Sequence, residues 1–466
     1  MTTTDKTDLT AVEPGVVGKG RWIERWEPEN ELFWEARGKA IAFRNLVFSI
    51  IAEHIGFSVW LLWSIVVVRM YGTYDAATGE LVAAGANGWA LTASQGFTLL
   101  AVASGVGAFL RIPYTFAVPI FGGRNWTVIS ALLLLIPTLG LAWVVQDPTT
   151  PFGILVLIAA TAGFGGGNFA SSMANITFFY PEKEKGWALG LNAAGGNIGV
   201  AVAQKIVPLA IGIGALGLSA AGLVYVPLSL AAAILAFLFM DNLREAKADP
   251  KPTAKSLQHG HTWLMAFLYI GTFGSFIGYS AAFPTLLTVV FERADIALGW
   301  GFLGALIGSL ARPYGGKLAD RVGGSVITLA SFLVMAGAGF TAVLGVQQKS
   351  LPLFFVSFMV LFLATGIGNG STYRMIPSIF ARLHKSKGED TEASRLDFKR
   401  QSAGAVGIIS AIGAFGGFAI PFVYKLSKDM SGTIVPALQI YVGVFLVMAL
   451  VTYVAYLRKN ATMRNV

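Results

Sequence analysis

Apolar runs of 20 or more residues recur from one end of this 466-residue chain to the other. A run of that length is what an α-helix needs to cross a ~30 Å hydrocarbon layer, where every backbone polar group must be satisfied within the protein. One soluble core has no use for so many. Composition agrees: 55% of residues are hydrophobic, 13% are charged and the mean hydropathy is +0.65. The runs place twelve spans, at 44–70, 91–120, 126–146, 151–180, 185–212 and 218–241, then at 262–291, 296–319, 324–346, 352–381, 399–425 and 432–457. The expected fold class is an all-α membrane protein of two six-helix bundles, 44–241 and 262–457. A polar linker at 242–261 with Pro250 and Pro252 joins them, and tails lie at 1–43 and 458–466.

The net charge of +9 reads as loop charge on one side of a membrane, with no need of nucleic acid. Arg124, Lys183, Lys185, the stretch Arg244 to Lys255, Lys317, Arg321 and the stretch Arg382 to Arg400 all fall on one face. The other face has Asp75, Glu80 and Asp147 with no Lys or Arg in 71–90 or 147–150. Both termini are therefore expected in the cytoplasm, with Arg21, Arg25, Arg37, Lys39 and Arg44 ahead of the first span. The stretch Trp22, Trp26, Phe33 and Trp34 reads either as an interfacial helix or as a loose tail. Residues 384–400 read as a second charged loop, with room for one interfacial helix. Cysteine is absent, which removes disulfides, thiol nucleophiles and cysteine metal sites, and four scattered histidines have no metal-ligand spacing. No cofactor is expected. The missing nucleotide-binding loop argues against a pump, and the lack of a catalytic constellation argues against an enzyme.

Two cations interrupt this pattern. Arg111, in Gly107-Ala108-Phe109-Leu110-Arg111-Ile112-Pro113-Tyr114, sits in an apolar run, and Arg312, in Gly308-Ser309-Leu310-Ala311-Arg312-Pro313-Tyr314, repeats it 201 residues later. A charge at mid-bilayer costs several kcal/mol or more, so intramembrane arginines point to function. Each is followed at equal spacing by a Gly-Gly pair, Gly122-Gly123 and Gly323-Gly324. Gly165-Gly166-Gly167-Asn168 and Gly366-Ile367-Gly368-Asn369 share the same offset of 201. Gly190, Ala193 and Gly199 fall against Gly404, Gly407 and Gly413 at an offset of 214, the added 13 residues lying near 384–397. Two six-span halves repeated in parallel are the architecture of the major facilitator fold, and two matched arginines point to one central anion site.

Gly315-Gly316-Lys317-Leu318-Ala319-Asp320-Arg321-Val322-Gly323-Gly324 resembles the loop signature of the major facilitator superfamily. Asp320 and Arg321 there would bridge helix ends and bias a conformational switch; the first-half counterpart keeps the glycines and lacks the Asp. Two Gly-rich helices, carrying Gly190 and Gly195 with Asn192 and Asn197, and Gly404 and Gly407 with Ser410, fit either sliding backbones or close packing. Together with the run Gly163 to Ile176 and Thr272-Phe273-Gly274-Ser275-Phe276-Ile277-Gly278, these segments resemble the nitrate/nitrite porter family over nearly the whole chain, from about Trp26 onward. The resemblance implies that Arg111 and Arg312 clamp the anion. Phe169 and Phe273 would sandwich its plane, Tyr269 would add a phenol, and Asn197 and Ser410 would donate hydrogen bonds. A planar guanidinium suits a planar monoanion.

Glu53 and His54 stand side by side in the first span. Helix rise puts Glu53 roughly 13 Å past Arg44 and Arg111 roughly 16 Å before Gly122, at comparable depth. They read as carriers of protons for uptake, or, for Glu53, as a counter-charge to Arg111. Lys205 near the outer end of its span reads as a snorkelling side chain or an attractor of external anions. Arg374 reads as snorkelling or as part of anion release. The expected partners are nitrate or nitrite, protons and membrane lipid, with a monomer as the unit, in the cytoplasmic (inner) membrane. Proton-driven nitrate uptake, nitrate/nitrite exchange and a non-transporting anion sensor stay open at this point. An exporter of organic cations would carry carboxylates where this chain carries arginines.

Overall fold

The computed structural model describes residues 13–75, 78–212, 216–246, 250–386, 391–459, 461, 463–464 and 466. Twelve helical spans run through them. The first half holds α1 (Glu31–Arg69), α2 (Ala93–Phe121), α3 (Gly123–Val144), α4 (Phe152–Phe179), α5 (Glu182–Gly212) and α6 (Gly217–Phe239). The second holds α7 (Gly260–Phe291), α8 (Ala294–Val322), α9 (Gly324–Gln347), α10 (Leu351–Ser386), α11 (Ser394–Ser431) and α12 (Val435–Tyr456). Local chemistry explains several boundaries. Thr92 and Gln95 form a reciprocal capping box at the start of α2. Gly122 and Gly323 end α2 and α8 with φ of 88° and 105°. That left-handed region favours glycine, and it lets the chain turn straight into α3 and α9. The repeated Gly-Gly pairs are thus the two tight reversals of the two halves.

The spans are longer than their apolar runs. α1 begins near Glu31, capped by Asn30, and so takes in residues assigned above to the tail. The helix in the charged segment 384–400 is not a separate interfacial one but the ends of two spans: α10 continues to Ser386 and the next helix starts at Glu392. The outer loop after α1 carries a small hairpin, with β2 (Thr73–Tyr74) antiparallel to β3 (Leu81–Ala83). α7 contains a π-helical turn, Ile270–Gly274, which holds Phe273.

The residues before α1 are docked rather than loose. Strand β1 (Trp22–Ile23) pairs in parallel with β4 (Asn242–Leu243), just after α6. Trp26 Nε1 donates to the Phe179 carbonyl at 3.2 Å, and Trp34 Nε1 donates to Glu184 at 3.1 Å. Asp241 is fully buried and pairs with Arg21 at 2.7 Å and Arg44 at 2.6 Å, while Asn45 Nδ2 donates to it at 2.9 Å. This carboxylate ties the leading segment to the ends of α1 and α6. The first half thereby has a charge network at its terminal end despite lacking an Asp in its loop.

Contacts between the halves lie at mid-depth and toward the end away from the termini. Tyr71 and Thr285 hydroxyls are 3.0 Å apart, and Ser94 donates to Asp429 at 3.1 Å. Gln204 Nε2 donates to the Ser280 carbonyl at 2.7 Å, and the Phe97 and Tyr424 rings stack at 5.7 Å. At the terminal end, a methyl built on Gly190 or Gly407 meets nothing within 4 Å. Among the described residues, the named bonds between the halves thus gather at one end, and we take the terminal end as the parted one.

Asp241→Asn removes the buried charge while keeping its shape. Leaving Arg21 and Arg44 without it is expected to cost about 1–3 kcal/mol, at the low end because both arginines reach water. A lower melting temperature and faster protease cleavage within residues 13–38 of the purified protein check this.

Candidate functional site

The two arginines meet where the bundles join. Arg111 of α2 is fully buried and Arg312 of α8 is 6% exposed. Arg111 Nε donates to the Gly166 carbonyl at 3.3 Å; its Nη1 crosses to α11, donating to Ser410 Oγ at 3.0 Å and to the Ser410 carbonyl at 3.3 Å. Its guanidinium carbon lies 4.4 Å from the Phe169 ring centre, 4.8 Å from that of Phe273 and 5.4 Å from that of Trp60. Arg312 Nη2 donates to Tyr269 Oη at 3.4 Å, with the Tyr373 ring 5.6 Å away. Electron-rich ring faces offset part of the cost of removing a cation from water. Neither arginine makes a salt bridge among the described residues, and one terminal nitrogen of each, Arg111 Nη2 and Arg312 Nη1, is buried without a partner.

Six of the residues singled out for an anion site therefore form one cluster: Arg111, Arg312, Phe169, Phe273, Tyr269 and Ser410. Phe169 and Phe273 stack with centres 6.0 Å apart, and Tyr269 stacks on Phe273 at 5.3 Å. A flat anion held face to face by both phenyl rings needs about 7 Å between them, two van der Waals contacts, so sandwiching requires the rings to part. Ser410 accepts from Arg111 and keeps its own hydrogen free to donate. Asn197 is buried with neither amide atom partnered.

Glu53 does not sit against Arg111. Its Oε2 accepts from Asn192 Nδ2 at 2.6 Å and from Ser172 Oγ, and its Oε1 has no partner. The counter-charge reading is thus not met by a direct pair, although both guanidinium groups lie within Coulombic reach of the carboxyl. His54, half-buried and pointing elsewhere, is bonded through Nδ1 to the Gly195 carbonyl at 3.0 Å. A carbonyl only accepts, so Nδ1 carries hydrogen there.

The Gly-rich positions divide. Gly190 and Gly407 face open space, whereas a methyl on Gly195 would come within 2.4 Å of Ile50 and one on Gly404 within 2.6 Å of Thr253. Asp320 pairs with Arg374, half-exposed at the terminal end, so Arg374 has a partner that snorkelling does not require. Arg321 is exposed. Lys205 is exposed and reaches from α5 to the Gly299 carbonyl at 3.4 Å and over the Phe302 ring.

The sequence reading passed over four residues. Asn168 and Asn369 are 3% and 1% exposed, and all of their amide atoms are unpartnered. They share the arginines' offset of 201, and that was the available signal. Trp60 and Tyr373, which face the two guanidinium groups, had no signal beyond being aromatic. The arrangement can hold a small anion: two fixed cations, one from each bundle, each with a spare donor.

Packing around this cluster is tight. A methyl on Gly166 would lie 2.6 Å from Trp60 and 2.7 Å from the Gly107 backbone. Gly166→Ala is expected to destabilise by about 1–3 kcal/mol, while Gly407→Ala is expected to be tolerated. Melting temperatures and monodisperse yield of the two variants test the contrast.

The Major Facilitator Superfamily description matches residues 45–421. The nitrate/nitrite transporter NarU of Escherichia coli strain K12 is 39% identical, over 94% of this chain and 96% of that protein. A protein named probable nitrate/nitrite antiporter NarK2, from Thermus thermophilus, is 33% identical over 89% of this chain and 91% of its own length. Among solved structures, a D-xylose-proton symporter superposes with a TM-score of 0.66 at 14% identity, over 89% of this chain and 97% of that one. An inward-open xylose transporter from E. coli superposes with a TM-score of 0.62 at 13% identity, over 90% and 98%. These two likenesses concern the fold.

Proposed function

We propose that this chain, which belongs to the nitrate/nitrite porter family of the major facilitator superfamily, is a secondary transporter, not an enzyme, that carries nitrate, and nitrite with it, across the membrane by alternating access. One observation carries the reading: two buried guanidinium groups, one from each bundle, each with an unpartnered terminal nitrogen and, among the described residues, no salt-bridged carboxylate. A planar monoanion placed between them would satisfy both donors and neutralise part of a charge that lipid cannot. Because the two clamps sit on different bundles, the same anion would draw the halves together, and its departure would free them. Phe169, Phe273, Tyr269, Asn197 and Ser410 line or flank this position in the reading, and Asp320 with Arg374 latches helix ends on the terminal side.

The direction follows from charge. With the basic loops and both termini in the cytoplasm, under the positive-inside bias, the parted end opens inward. Moving one nitrate inward against a negative interior then costs about 2.3 kcal/mol per 100 mV. Two protons moving with each nitrate make the step electrically favourable, and Glu53 and His54 stand side by side in the apolar stretch of α1. Their position supports proton-coupled uptake: Glu53 bonds to Asn192 on Gly-rich α5 and lies within Coulombic reach of both clamps. An anion occupying the arginines weakens their hold on a carboxylate form and so favours its protonation. Nitrate/nitrite exchange is the second reading, favoured by the printed name of the Thermus relative; exchange needs no titratable group.

Proteoliposome flux separates the readings. Uptake driven by an imposed pH gradient, acid outside, is expected and is lost in Glu53→Gln; uptake seen only with nitrite loaded inside selects exchange. Arg111→Lys and Arg312→Lys keep charge but lose the fork, so each is expected to lower nitrate transport by about 100-fold or more, two charge-assisted hydrogen bonds' worth. Near-normal transport in either variant rejects its direct role.

A further inference from the structure

Beside Glu53, inside the first bundle and away from the arginine cluster, lies a polar cavity of about 10 Å³, formed by α1, α3 and α4. That is the volume for roughly one water. Ser49 and Glu53 line it from α1, Thr127 and Ser130 from α3, and Asn168 with Ser172 from α4. The spacings put these groups on shared helix faces: Ser49 is one turn before Glu53, and Thr127 is three residues before Ser130.

The hydrogen bonds around it are one-sided. Thr127 donates to the Gly123 carbonyl at 2.8 Å and Ser130 to the Thr127 carbonyl at 3.1 Å. Ser171, also in the wall, donates to the Asn168 carbonyl at 3.1 Å. Ser49 donates to Ser172 Oγ at 3.2 Å, and Ser172 donates to Glu53. With their hydrogens committed elsewhere, these hydroxyls offer lone pairs. Glu53 Oε1 and the Asn168 amide, 1% and 3% exposed, have no partner at all. The Asn168 amide can donate as well as accept, and the hydroxyls beside the carboxyl offer acceptors, which suits an occupant that donates, a water or, with one more proton, a hydronium.

We propose that this cavity seats a water that is the proton's exit from Glu53, by a route separate from the anion's. The proposal rests on the reading of Glu53 as a proton carrier. Glu53 gives its proton to the water, leaving a carboxylate and a hydronium, and the serine and threonine oxygens hold that hydronium. Thr127, half-buried and one turn into α3 from Gly123, is the end nearest the terminal face. The proton passes there to bulk water, and the water it leaves keeps the seat. The charged groups within electrostatic range of Glu53 are Arg111 from α2 and Arg312 from α8, which favour the carboxylate once the anion has gone, with Tyr373 of α10 also in range and His54 beside it in α1. Anion and proton then leave the same parted state by different doors.

The test uses the full chain in proteoliposomes, comparing Thr127→Val with Ser130→Ala, singly and combined, against Glu53→Gln. Two readouts are taken: nitrate uptake driven by a pH gradient, in H₂O and in D₂O, and nitrate/nitrite counterflow at equal pH. The double variant is expected to lower proton-driven uptake about tenfold, to enlarge its solvent isotope effect and to leave counterflow within about twofold; Thr127→Ser, which keeps the hydroxyl, is expected to stay near normal. Unchanged proton-driven uptake in the double variant, with Glu53→Gln still defective, overturns the route and leaves Glu53 its role. A loss shared equally by both readouts also overturns it, by showing a structural effect. Retention of proton-driven uptake in Glu53→Gln overturns the reading beneath it instead.

Discussion

Removing a guanidinium from water and placing it at the middle of a membrane protein costs more than most contacts return, and here it happens twice within one junction. The compensation is assembled from what the fold brings near. Arg111 receives the Gly166 carbonyl, both acceptors of Ser410 and three aromatic faces; Arg312 receives a phenol and the rings around it. None of these is a full negative charge. The site keeps a positive surplus that a mobile anion can answer and a fixed carboxylate would have cancelled. The nearest acid, Glu53, is held off by Ser172 and Asn192. That separation leaves the junction without a structural ion pair and its two guanidinium groups open to an anion.

The glycines around it serve two purposes. Gly166 and Gly366 sit where any side chain would strike Trp60 or the Gly308 backbone, and Gly370 lies against the Arg312 carbonyl. Those positions let helices within a bundle approach closely enough to fix the arginines. A methyl on Gly190 or Gly407 would meet nothing within 4 Å. One composition thus covers rigid packing within bundles and smooth surfaces between them, which two bodies that rock against each other both need.

The two ends of the molecule are built differently. Away from the termini the halves are joined by direct bonds such as Gln204 to Ser280 and Tyr71 to Thr285. At the terminal end each half braces itself, through Asp241 with Arg21 and Arg44 in the first and through Asp320 with Arg374 in the second. Bracing within halves leaves them free to separate there.

Hydropathy alone determined that this chain spans a membrane twelve times, because lipid permits no other use for such runs. A shared offset of 201 residues determined that Arg111 and Arg312 are counterparts, and the family resemblance marked the aromatic and hydroxyl groups near them. Other features depended on tertiary structure. Whether Glu53 pairs with Arg111 turns on side-chain directions between α1, α2, α4 and α5, which spacing along one helix does not fix. Asp241 with Arg21 and Arg44, and Asp320 with Arg374, join residues 54 to 220 positions apart, so no local pattern announces them. The docking of Trp26 and Trp34 and the acceptor-lined cavity at Glu53 have the same origin. Period and composition say which residues must be buried, and only the packing of helices against one another decides what each of them meets.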